Sequence, residues 1–329
     1  MPIDVNQQQV IDQYTKVMPG ADLLDMNFAF VRSKILSTAI ELDIFGTINS
    51  GMDTPLKVAE KLKCDTDGIE RLLEALLALG LLNKEKNNYS LSPISKVYLL
   101  EDGPSYIGGH LGAVMKQWDS WSNLTQAIQF GPAHKCNSQE IAPGLFPITF
   151  PVAWKLTDDI NIGADSKILD INCGSGEWSI AFAIKNESSQ VYSLDTIDKK
   201  SDVCKKAKEF GLDNLHFLHG NFENYDYPGE QYDVVIISHT IRFLGTKRSI
   251  KLLKKIYYTL KTNGRLIIVD AFSEPESFIP LLINLSMYLN TSSGRTYSSN
   301  ELALILRDLG YSDTNIIKMV PYPVLVARR

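Results

Sequence analysis

Beyond residue 165 the chain alternates short apolar segments with segments of helical periodicity. The first apolar segment, KILDIN at 167–172, is followed by a turn that contains two glycines, and a helical segment begins at about Glu177. Strands that alternate with helices in this way form a parallel sheet with helices on both faces. The pattern predicts strands at 167–172, 191–195, 215–218, 233–238 and 265–271, and helices from about 177 and at 199–210, 246–260 and 299–309.

The end of the chain follows a different pattern. Two strand-like segments, 315–319 and 323–328, have only a short stretch with Pro321 and Tyr322 between them. A parallel pair of strands needs a crossover of a dozen residues or more, so this spacing predicts an antiparallel hairpin at one edge of the sheet. The fold class expected for this half is α/β, with a doubly wound sheet.

The first half of the chain is predicted to be mainly helical. Residues 22–45 place apolar side chains all round one long helix that ends near Gly46. A helix that is apolar on every face needs burial on every face. Because a small domain can hardly provide that alone, we expect a partner chain to cover part of this helix, which predicts a homodimer.

Two capped helices and a hairpin follow in the sequence. A threonine–proline pair at 54–55 opens one helix, and an acid or hydroxyl cap at 65–66 opens the next, which ends at Gly80. A turn of polar residues then joins two strand-like segments, 81–85 and 89–91. Helices followed by a hairpin in this order are typical of a winged helix.

Winged helices often bind DNA, but the charges of this one oppose that function. The second of the capped helices carries four acidic residues against one basic residue; these are Asp65, Asp67, Glu70 and Glu74, against Arg71. Carboxylates that face a phosphate backbone weaken binding. We therefore expect a dimerisation or packing module and no nucleic-acid partner.

The composition excludes further classes of protein. The 329 residues carry 33 basic and 38 acidic side chains, and this net charge of −5 gives no overall attraction to nucleic acid or to an anionic membrane. No apolar run approaches the ~18 residues of a membrane span, and the first ten residues lack the pattern of a signal peptide. The four cysteines lie far apart, which predicts neither a disulfide scaffold nor a zinc site. We expect a cytoplasmic protein with no metal and no membrane partner.

Glycine and polar residues follow three successive predicted strands. Asp170, Gly174 and Gly176 follow the first strand, Asp195 ends the second, and a Gly-Asn-Phe turn at 220–222 follows the third. Ligands of a doubly wound sheet bind at these carboxyl ends. Glycine lets the backbone approach a nucleotide-like ligand, a carboxylate can bond ribose hydroxyls, and an amide with an aromatic face suits adenine. Alone, the second aspartate could be a helix cap and the phenylalanine a core residue, but their joint placement predicts a nucleotide-like cofactor.

The chain resembles a known family through these motifs and others. It is similar to the S-adenosylmethionine (SAM)-dependent small-molecule O-methyltransferases of the plant-type group, which are also abundant in bacterial natural-product pathways. The resemblance extends over nearly the whole chain and rests on the segments AIELDIFGTI, YSLSPISKVYLL, ILDINCGSG, LKTNGRLIIVD and GRTYSSNEL. It implies a Rossmann-like, seven-stranded methyltransferase sheet and an N-terminal winged-helix dimerisation domain, with SAM as the cofactor.

The resemblance also implies how the chain divides and what it does. We expect a winged-helix-like dimerisation domain at 1–105, a helical linker and substrate-pocket region at 106–165, and a SAM-binding catalytic domain at 166–329. The activity that the resemblance implies is methyl transfer to a small natural-product-like molecule. Transfer to an oxygen atom of the acceptor is favoured, and transfer to a carbon atom is the alternative.

Five positions of the first turn correspond to the family's glycine-rich motif. The resemblance implies that Asp170, Gly174 and Gly176 cradle the methionine end and the ribose of SAM. Asn172 and Cys173 stand where the family usually has glycine. Because asparagine tolerates left-handed backbone angles better than most residues, we expect the turn to keep its shape and Asn172 to belong to the cofactor site.

The remaining cofactor residues come from the ends of later strands. The resemblance assigns the ribose hydroxyls to Asp195. It places Asn221 where the family usually has an aspartate that faces the adenine amino group, and the amide oxygen can still accept that hydrogen bond. Phe222 and Ser238 complete the predicted cofactor-binding set.

The largest departure from the family follows the DVVIIS strand, where two catalytic residues are predicted. The family has a lysine there and, four positions later, a histidine that acts as general base; Ser238 aligns with the lysine and Arg242 with the histidine. Arginine stays protonated in proteins, so Arg242 cannot be that base. His239, at the strand end, titrates in the useful range and either faces the substrate or packs beside the cofactor.

This departure leaves three alternatives for the chemistry. An acidic phenol, enol or carboxylate can arrive already ionised, or His239 can replace the base. In the third alternative the fold binds SAM without methyl transfer and catalyses pericyclic, decarboxylative or hydroxylating chemistry, with Arg242 as a cation for a carboxylate or a polarised carbonyl. In the simplest case Arg242 has only a structural role and either lies at the surface or pairs with a carboxylate of the protein.

Overall fold

The computed structural model describes residues 19–132, 145–275, 277–320 and 322–329. The chain divides into two compact units, one that ends at Lys116 and one that begins at Gln117. This division lies within the predicted linker region, 106–165. No helix in the described ranges is long and apolar enough to cross a membrane.

The first unit begins with two helices where the sequence predicts one. Helix α1 (Pro19–Glu41) ends before Asp43, and α2 (Ile44–Asn49) begins after it. Asp43 has left-handed backbone angles (φ 52°), and its carboxylate accepts a hydrogen bond from the N–H of Gly46 at 3.2 Å. The prediction of one continuous helix over 22–45 is therefore wrong, because Asp43 breaks the first helix and caps the next.

The predicted winged-helix order follows. Helix α3 (Pro55–Leu62) is capped by Thr54, and α4 (Thr66–Ala78) is capped by Asp65, whose carboxylate accepts from the N–H of Gly68 at 2.7 Å. The remaining elements of the first unit are β1 (Leu82–Glu85), which pairs antiparallel with β2 (Asn88–Leu91), and helices α5 (Pro93–Tyr98) and α6 (Gly108–Met115). Buried apolar side chains from α2, α4 and the hairpin form the core of this unit.

The second unit is built around a seven-stranded sheet. Its strands are β3 (Lys167–Ile171), β4 (Gln190–Asp195), β5 (Leu215–His219), β6 (Tyr232–Ser238), β7 (Leu260–Val269), β8 (Ser312–Ile317) and β9 (Val324–Arg328). They lie in the order β5-β4-β3-β6-β7-β9-β8. Strands β3 to β7 are parallel, and β9 is antiparallel to both β7 and β8. The predicted α/β fold class and the antiparallel edge hairpin are confirmed.

Helices pack on both faces of this sheet. The helices of this unit are α7 (Trp118–Ser122), α8 (Leu124–Phe130), α9 (Phe146–Asp159), α10 (Glu177–Lys185), α11 (Ile197–Glu209), α12 (Ile241–Thr259), α13 (Phe278–Asn290) and α14 (Ser299–Asp308). Helix α12 has a kink at Gly245 (φ 68°), where a Cβ would lie 2.4 Å from the carbonyl oxygen of Ser293. Two buried clusters, one on each face of the sheet, form the core.

The strand order determines where a ligand can bind. Strand β3 pairs with β4 on one side and with β6 on the other, so the chain reverses its direction of travel across the sheet between β5 and β6. In open α/β sheets ligands bind in the crevice outside the carboxyl ends of the strands at such a switch point. The residues that follow β3, β4 and β6 are therefore the ones that a ligand would meet.

Candidate functional site

The turn between β3 and α10 has left-handed backbone angles at three positions. These are Asn172 (φ 58°), Gly174 (φ 57°) and Gly176 (φ 82°). The N–H of Asn172 donates to the carbonyl oxygen of Leu194 at 2.8 Å, which holds the turn against the end of β4. At Gly176 an added Cβ would lie 3.1 Å from Val203 on α11, so this position favours glycine for both its angles and its space.

Asp195 lies at the end of β4, and its carboxylate contacts the same turn. The N–H of Gly174 donates to Asp195 Oδ2 at 2.9 Å, and the N–H of Thr196 donates to Oδ1 at 2.7 Å. The residue is 6% exposed. Because a carboxylate oxygen can accept more than one hydrogen bond, each oxygen can still receive a donor from a ligand.

Asp170 lies at the same switch point but is fully buried. Its Oδ2 accepts hydrogen bonds from the N–H of Ser179 at 3.1 Å and from Ser179 Oγ at 2.6 Å, and Ser193 Oγ donates to Ser179 Oγ at 2.7 Å. These bonds hold α10 against β3 and β4. Asp170 Oδ1 is buried and has no hydrogen-bond partner within the described ranges. The side chain thus supports the glycine turn and keeps one acceptor unused.

Burial raises the pKa of the Asp170 carboxyl to about 7, although the hydrogen bonds from Ser179 oppose that shift. A folded-state pKa above the unfolded value makes the folded state bind more protons, so stability is lost as the pH rises toward and through 7. Asp170→Asn removes the titration. Between pH 5 and pH 8 we expect the wild type to lose about 3 kcal/mol of unfolding free energy that the variant keeps. Urea unfolding of both proteins at the two pH values measures this, and an identical pH dependence would contradict it.

The turn after β5 approaches the end of β4. The N–H of Gly220 donates to the carbonyl oxygen of Asp195 at 2.9 Å. The Asn221 side chain is exposed, and its Oδ1 accepts from the N–H of Glu223 at 3.0 Å. Phe222 is 5% exposed and belongs to a buried core cluster. The structure thus places the turn beside Asp195 but gives the Phe222 ring a packing role in the core.

The end of β6 is joined to the first turn by hydrogen bonds. Asn172 Nδ2 donates to Thr240 Oγ1 at 3.0 Å, and Thr240 Oγ1 donates to the carbonyl oxygen of Ser238 at 2.8 Å. Ser238 is 9% exposed. His239 follows with left-handed angles (φ 50°), and its N–H donates to the carbonyl oxygen of Val269 at 2.8 Å, which holds it beside β7.

The two predicted catalytic residues lie together at this end of the sheet. Arg242 Nη1 is 3.2 Å from His239 Nδ1 and donates to Asp270 Oδ1 at 2.8 Å. The Arg242 and Asp270 side chains are 11% and 3% exposed. The N–H of Arg295 donates to the carbonyl oxygen of Arg242 at 2.7 Å. Arg242 is therefore a largely buried cation, paired with a carboxylate of the protein and held through its backbone.

Asp270 is a residue of the candidate site that the sequence did not reveal. It follows β7 directly, just as Asp195 ends β4, and the same rule about polar residues at strand ends would have identified it. Thr240, which joins the turns after β3 and β6, was missed as well. Its sequence neighbourhood carries no comparable signal, because its contact with Asn172 spans 68 residues.

The residues at the switch point fit the predicted cofactor. Asp170, Glu177 and Asp195 place three carboxyl groups round the glycine turn, and burial raises the pKa of the Glu177 carboxyl. SAM carries a sulfonium, an ammonium and ribose hydroxyls, and each of these suits carboxylate oxygens such as the unused Asp170 Oδ1 and those of Asp195. Within the described part of the chain no group of three His, Cys, Asp or Glu side chains is arranged to hold a metal ion.

Comparisons with known proteins identify two domains in the chain. Residues 24–101 match the model of an O-methyltransferase dimerisation domain, and residues 162–302 match that of a methyltransferase domain. The chain is a SAM-dependent methyltransferase. Its N-terminal part is an O-methyltransferase dimerisation domain, its C-terminal part is a methyltransferase domain, and its cofactor is SAM.

Three known proteins illustrate how similar this methyltransferase is to its relatives. The tetracenomycin polyketide synthesis 8-O-methyl transferase TcmO of Streptomyces glaucescens is 25% identical over 320 residues, 91% of this chain and 94% of that protein. The 3-hydroxy-5-methyl-1-naphthoate 3-O-methyltransferase of Streptomyces sahachiroi is 22% identical, with 90% of each chain covered. The solved structure of human N-acetylserotonin methyltransferase with SAM has a TM-score of 0.80 at 18% identity, covers 96% of this chain and 99% of that one, and shows the shared fold.

Proposed function

We propose that the protein transfers the methyl group of SAM to an oxygen atom of a small natural-product-like molecule. TcmO and the naphthoate methyltransferase, two relatives that span nearly the whole chain, are both named for transfer to oxygen. Both names also describe aromatic or polyketide acceptors. These names support an aromatic hydroxyl as the acceptor, with transfer to carbon as the variant that an experiment must distinguish.

The cofactor site that we propose consists of the residues gathered at the switch point. Asp195 accepts the ribose hydroxyls, because its carboxylate is already held by two backbone N–H groups and needs no reorganisation. The turn that contains Asn172, Gly174 and Gly176 lies under the methionine end, with Asp170 behind it. Asn221 follows β5 and Ser238 ends β6, and we propose that both line the adenine side, whereas the buried Phe222 ring packs in the core behind them.

We further propose that the acceptor oxygen arrives ionised. When bound, SAM supplies an electrophilic methyl group whose transfer to an oxygen anion forms the O–CH₃ bond, breaks the S–CH₃ bond and leaves a neutral thioether, with no proton to remove. Arg242 carries this part of the proposal. Its Nε is buried and has no hydrogen-bond partner among the residues described, so an oxygen anion of the acceptor would satisfy it.

The non-methylating alternative has no support among the relatives named above, all three of which are methyltransferases. We therefore propose methyl transfer alone.

Methyl transfer can be tested with SAM that carries ¹³C in its methyl group. We expect hydroxynaphthoates and nitrophenols, as acidic aromatic acceptors, to give ¹³C signals of O–CH₃ groups in step with the formation of S-adenosylhomocysteine. A C–CH₃ product would contradict the proposed acceptor atom. Tight binding of S-adenosylhomocysteine without transfer to any acceptor of this panel would contradict the proposed reaction.

We also propose that the protein is a homodimer formed through its first unit. Apolar side chains of α1 are well exposed in the single chain: Leu24 is 62%, Met26 70% and Phe28 56% exposed. An apolar surface of this kind marks a contact with another protein, and the matched dimerisation domain begins at residue 24.

Sedimentation velocity tests the proposed dimer. We expect the wild type to sediment as a dimer at micromolar concentration, and the double variant Met26→Glu/Phe28→Glu to sediment as a monomer, because charges at these positions oppose burial. Leu304→Glu, at a 51% exposed position on α14 outside the matched dimerisation domain, is the control and should remain dimeric. A monomeric wild type would contradict the proposal.

A further inference from the structure

Three ionisable side chains meet where β6 and β7 end. Arg242 Nη1 lies 2.8 Å from Asp270 Oδ1 and 3.2 Å from His239 Nδ1. All three side chains are largely removed from solvent, since Asp270 and His239 are almost fully buried and Arg242 is nearly so. Water therefore contributes little to their charge balance, and the contacts among them determine where protons reside.

The hydrogen bond between Arg242 and His239 can have only one direction. A guanidinium has N–H donors and no acceptor, and it does not lose its proton in proteins. His239 Nδ1 must therefore accept the bond, which leaves the proton of the neutral ring on Nε2. An imidazolium would instead direct a ring N–H at the guanidinium and place two positive charges side by side.

The surrounding groups fix this arrangement. Asp270 Oδ1 accepts from Arg242 and also from the N–H of Ala271 at 2.8 Å, so the carboxylate cannot swing away without losing a backbone bond. On another side of the imidazole, the Tyr322 ring packs edge-on with a centroid distance of 4.7 Å. The neighbours of His239 thus include the charged Arg242, which Asp270 holds in place, and the titratable Tyr322.

We infer that Arg242 has a positioning role in addition to its proposed contact with the acceptor: through Nη1 and with Asp270, it holds His239 as the neutral tautomer protonated at Nε2. The ring at the end of β6 is then a hydrogen-bond donor and not a general base. Its part in catalysis rests on the proposed function and deepens it, because a donor ring stabilises an acceptor that is already ionised. The tautomer itself requires neither acceptor nor cofactor.

Nitrogen NMR measures the tautomer directly. The chain has five histidines, so ¹⁵N labelling of their rings gives a small set of signals, and the one lost in His239→Gln is assigned to His239. We expect a pyridine-type signal from Nδ1 and a pyrrole-type signal from Nε2, unchanged between about pH 6 and pH 8. In Arg242→Met the signals should become pH-dependent over this range. Arg248→Met, which removes an arginine of the same helix that pairs with Glu223, should leave them unchanged.

Two results would overturn the inference. A wild-type ring protonated at Nδ1, or one that becomes an imidazolium within this range, would show that Arg242 does not hold it as described. Unchanged His239 signals in Arg242→Met would show that another contact sets the tautomer. If Arg242→Met does not fold, the wild-type spectrum still decides the tautomer, and Arg242→Lys provides the second variant. The NMR samples contain no acceptor, so the tautomer is measured independently of the reaction. A failure of methyl transfer would contradict the proposed function, but the tautomer result would stand.

Discussion

Replacing Arg242 with alanine is expected to lower the free energy of unfolding by about 3–5 kcal/mol. The substitution leaves the Asp270 carboxylate, whose side chain is 3% exposed, buried without its cation. It also removes the donor that faces His239 Nδ1. Breaking one half of a buried ion pair costs far more than the pair itself contributes, because the remaining charge is uncompensated. Urea unfolding at pH 7 measures the effect.

Two controls separate this effect from the loss of any arginine. Arg248 lies on the same helix and pairs with Glu223, but these side chains are 39% and 26% exposed, so Arg248→Ala should cost no more than about 1 kcal/mol. The double variant Arg242→Met/Asp270→Asn removes both charges and should recover most of the stability lost in Arg242→Ala. Equal effects of the two alanine substitutions would show that the Arg242 pair is not buried as described.

Replacing Asp195 with alanine is expected to weaken the binding of S-adenosylhomocysteine on the order of a hundredfold. Hydrogen bonds to a charged group contribute about 1.5–3 kcal/mol each, and the proposed site uses this carboxylate for the ribose hydroxyls. The substitution also removes the acceptor for the N–H of Gly174, which loosens the glycine turn. Isothermal titration calorimetry on the cofactor-free protein gives the dissociation constants.

Asp233 provides the matched control for this measurement. It lies near the start of β6, at the opposite end of the sheet, where its carboxylate accepts from the N–H of Lys167 at 2.8 Å and from Lys261 Nζ at 2.7 Å. Asp233→Ala should therefore leave cofactor affinity unchanged. If Asp195→Ala binds as tightly as the wild type, the cofactor does not use the carboxyl end of β4.

The strands and most helices of the second unit could be predicted from the sequence, because each strand is a short apolar segment between turn residues. Helix α10 begins at Glu177, as predicted, since the glycine turn before it has a clear signature. Helix α13 was missed because its apolar residues show no polar face that would distinguish it from a buried strand. The break at Asp43 was missed for another reason: few non-glycine residues adopt left-handed angles, and no local pattern indicates this one.

The candidate site could be predicted in position but not in its contacts. The rule that ligands meet the carboxyl ends of parallel strands predicts that Asp170, Asp195 and Arg242 lie at the same end of the sheet. The structure has all three at that end. Which groups bond to one another depends on packing: Arg242 meets Asp270 across 28 residues of sequence. For the same reason the sequence could not decide whether Arg242 pairs with a substrate or with another residue of the protein. In the structure its partner is the carboxylate of Asp270.

The most direct test of the proposed chemistry is the pH dependence of kcat/KM for two acceptors that differ in acidity. If the acceptor ionises without help from the enzyme, the midpoint of the acidic limb should follow the pKa of each free acceptor and so differ between the two. Arg248→Met should leave both profiles unchanged. A midpoint that is the same for both acceptors, and that is lost in His239→Gln, would identify His239 as a general base and contradict the account.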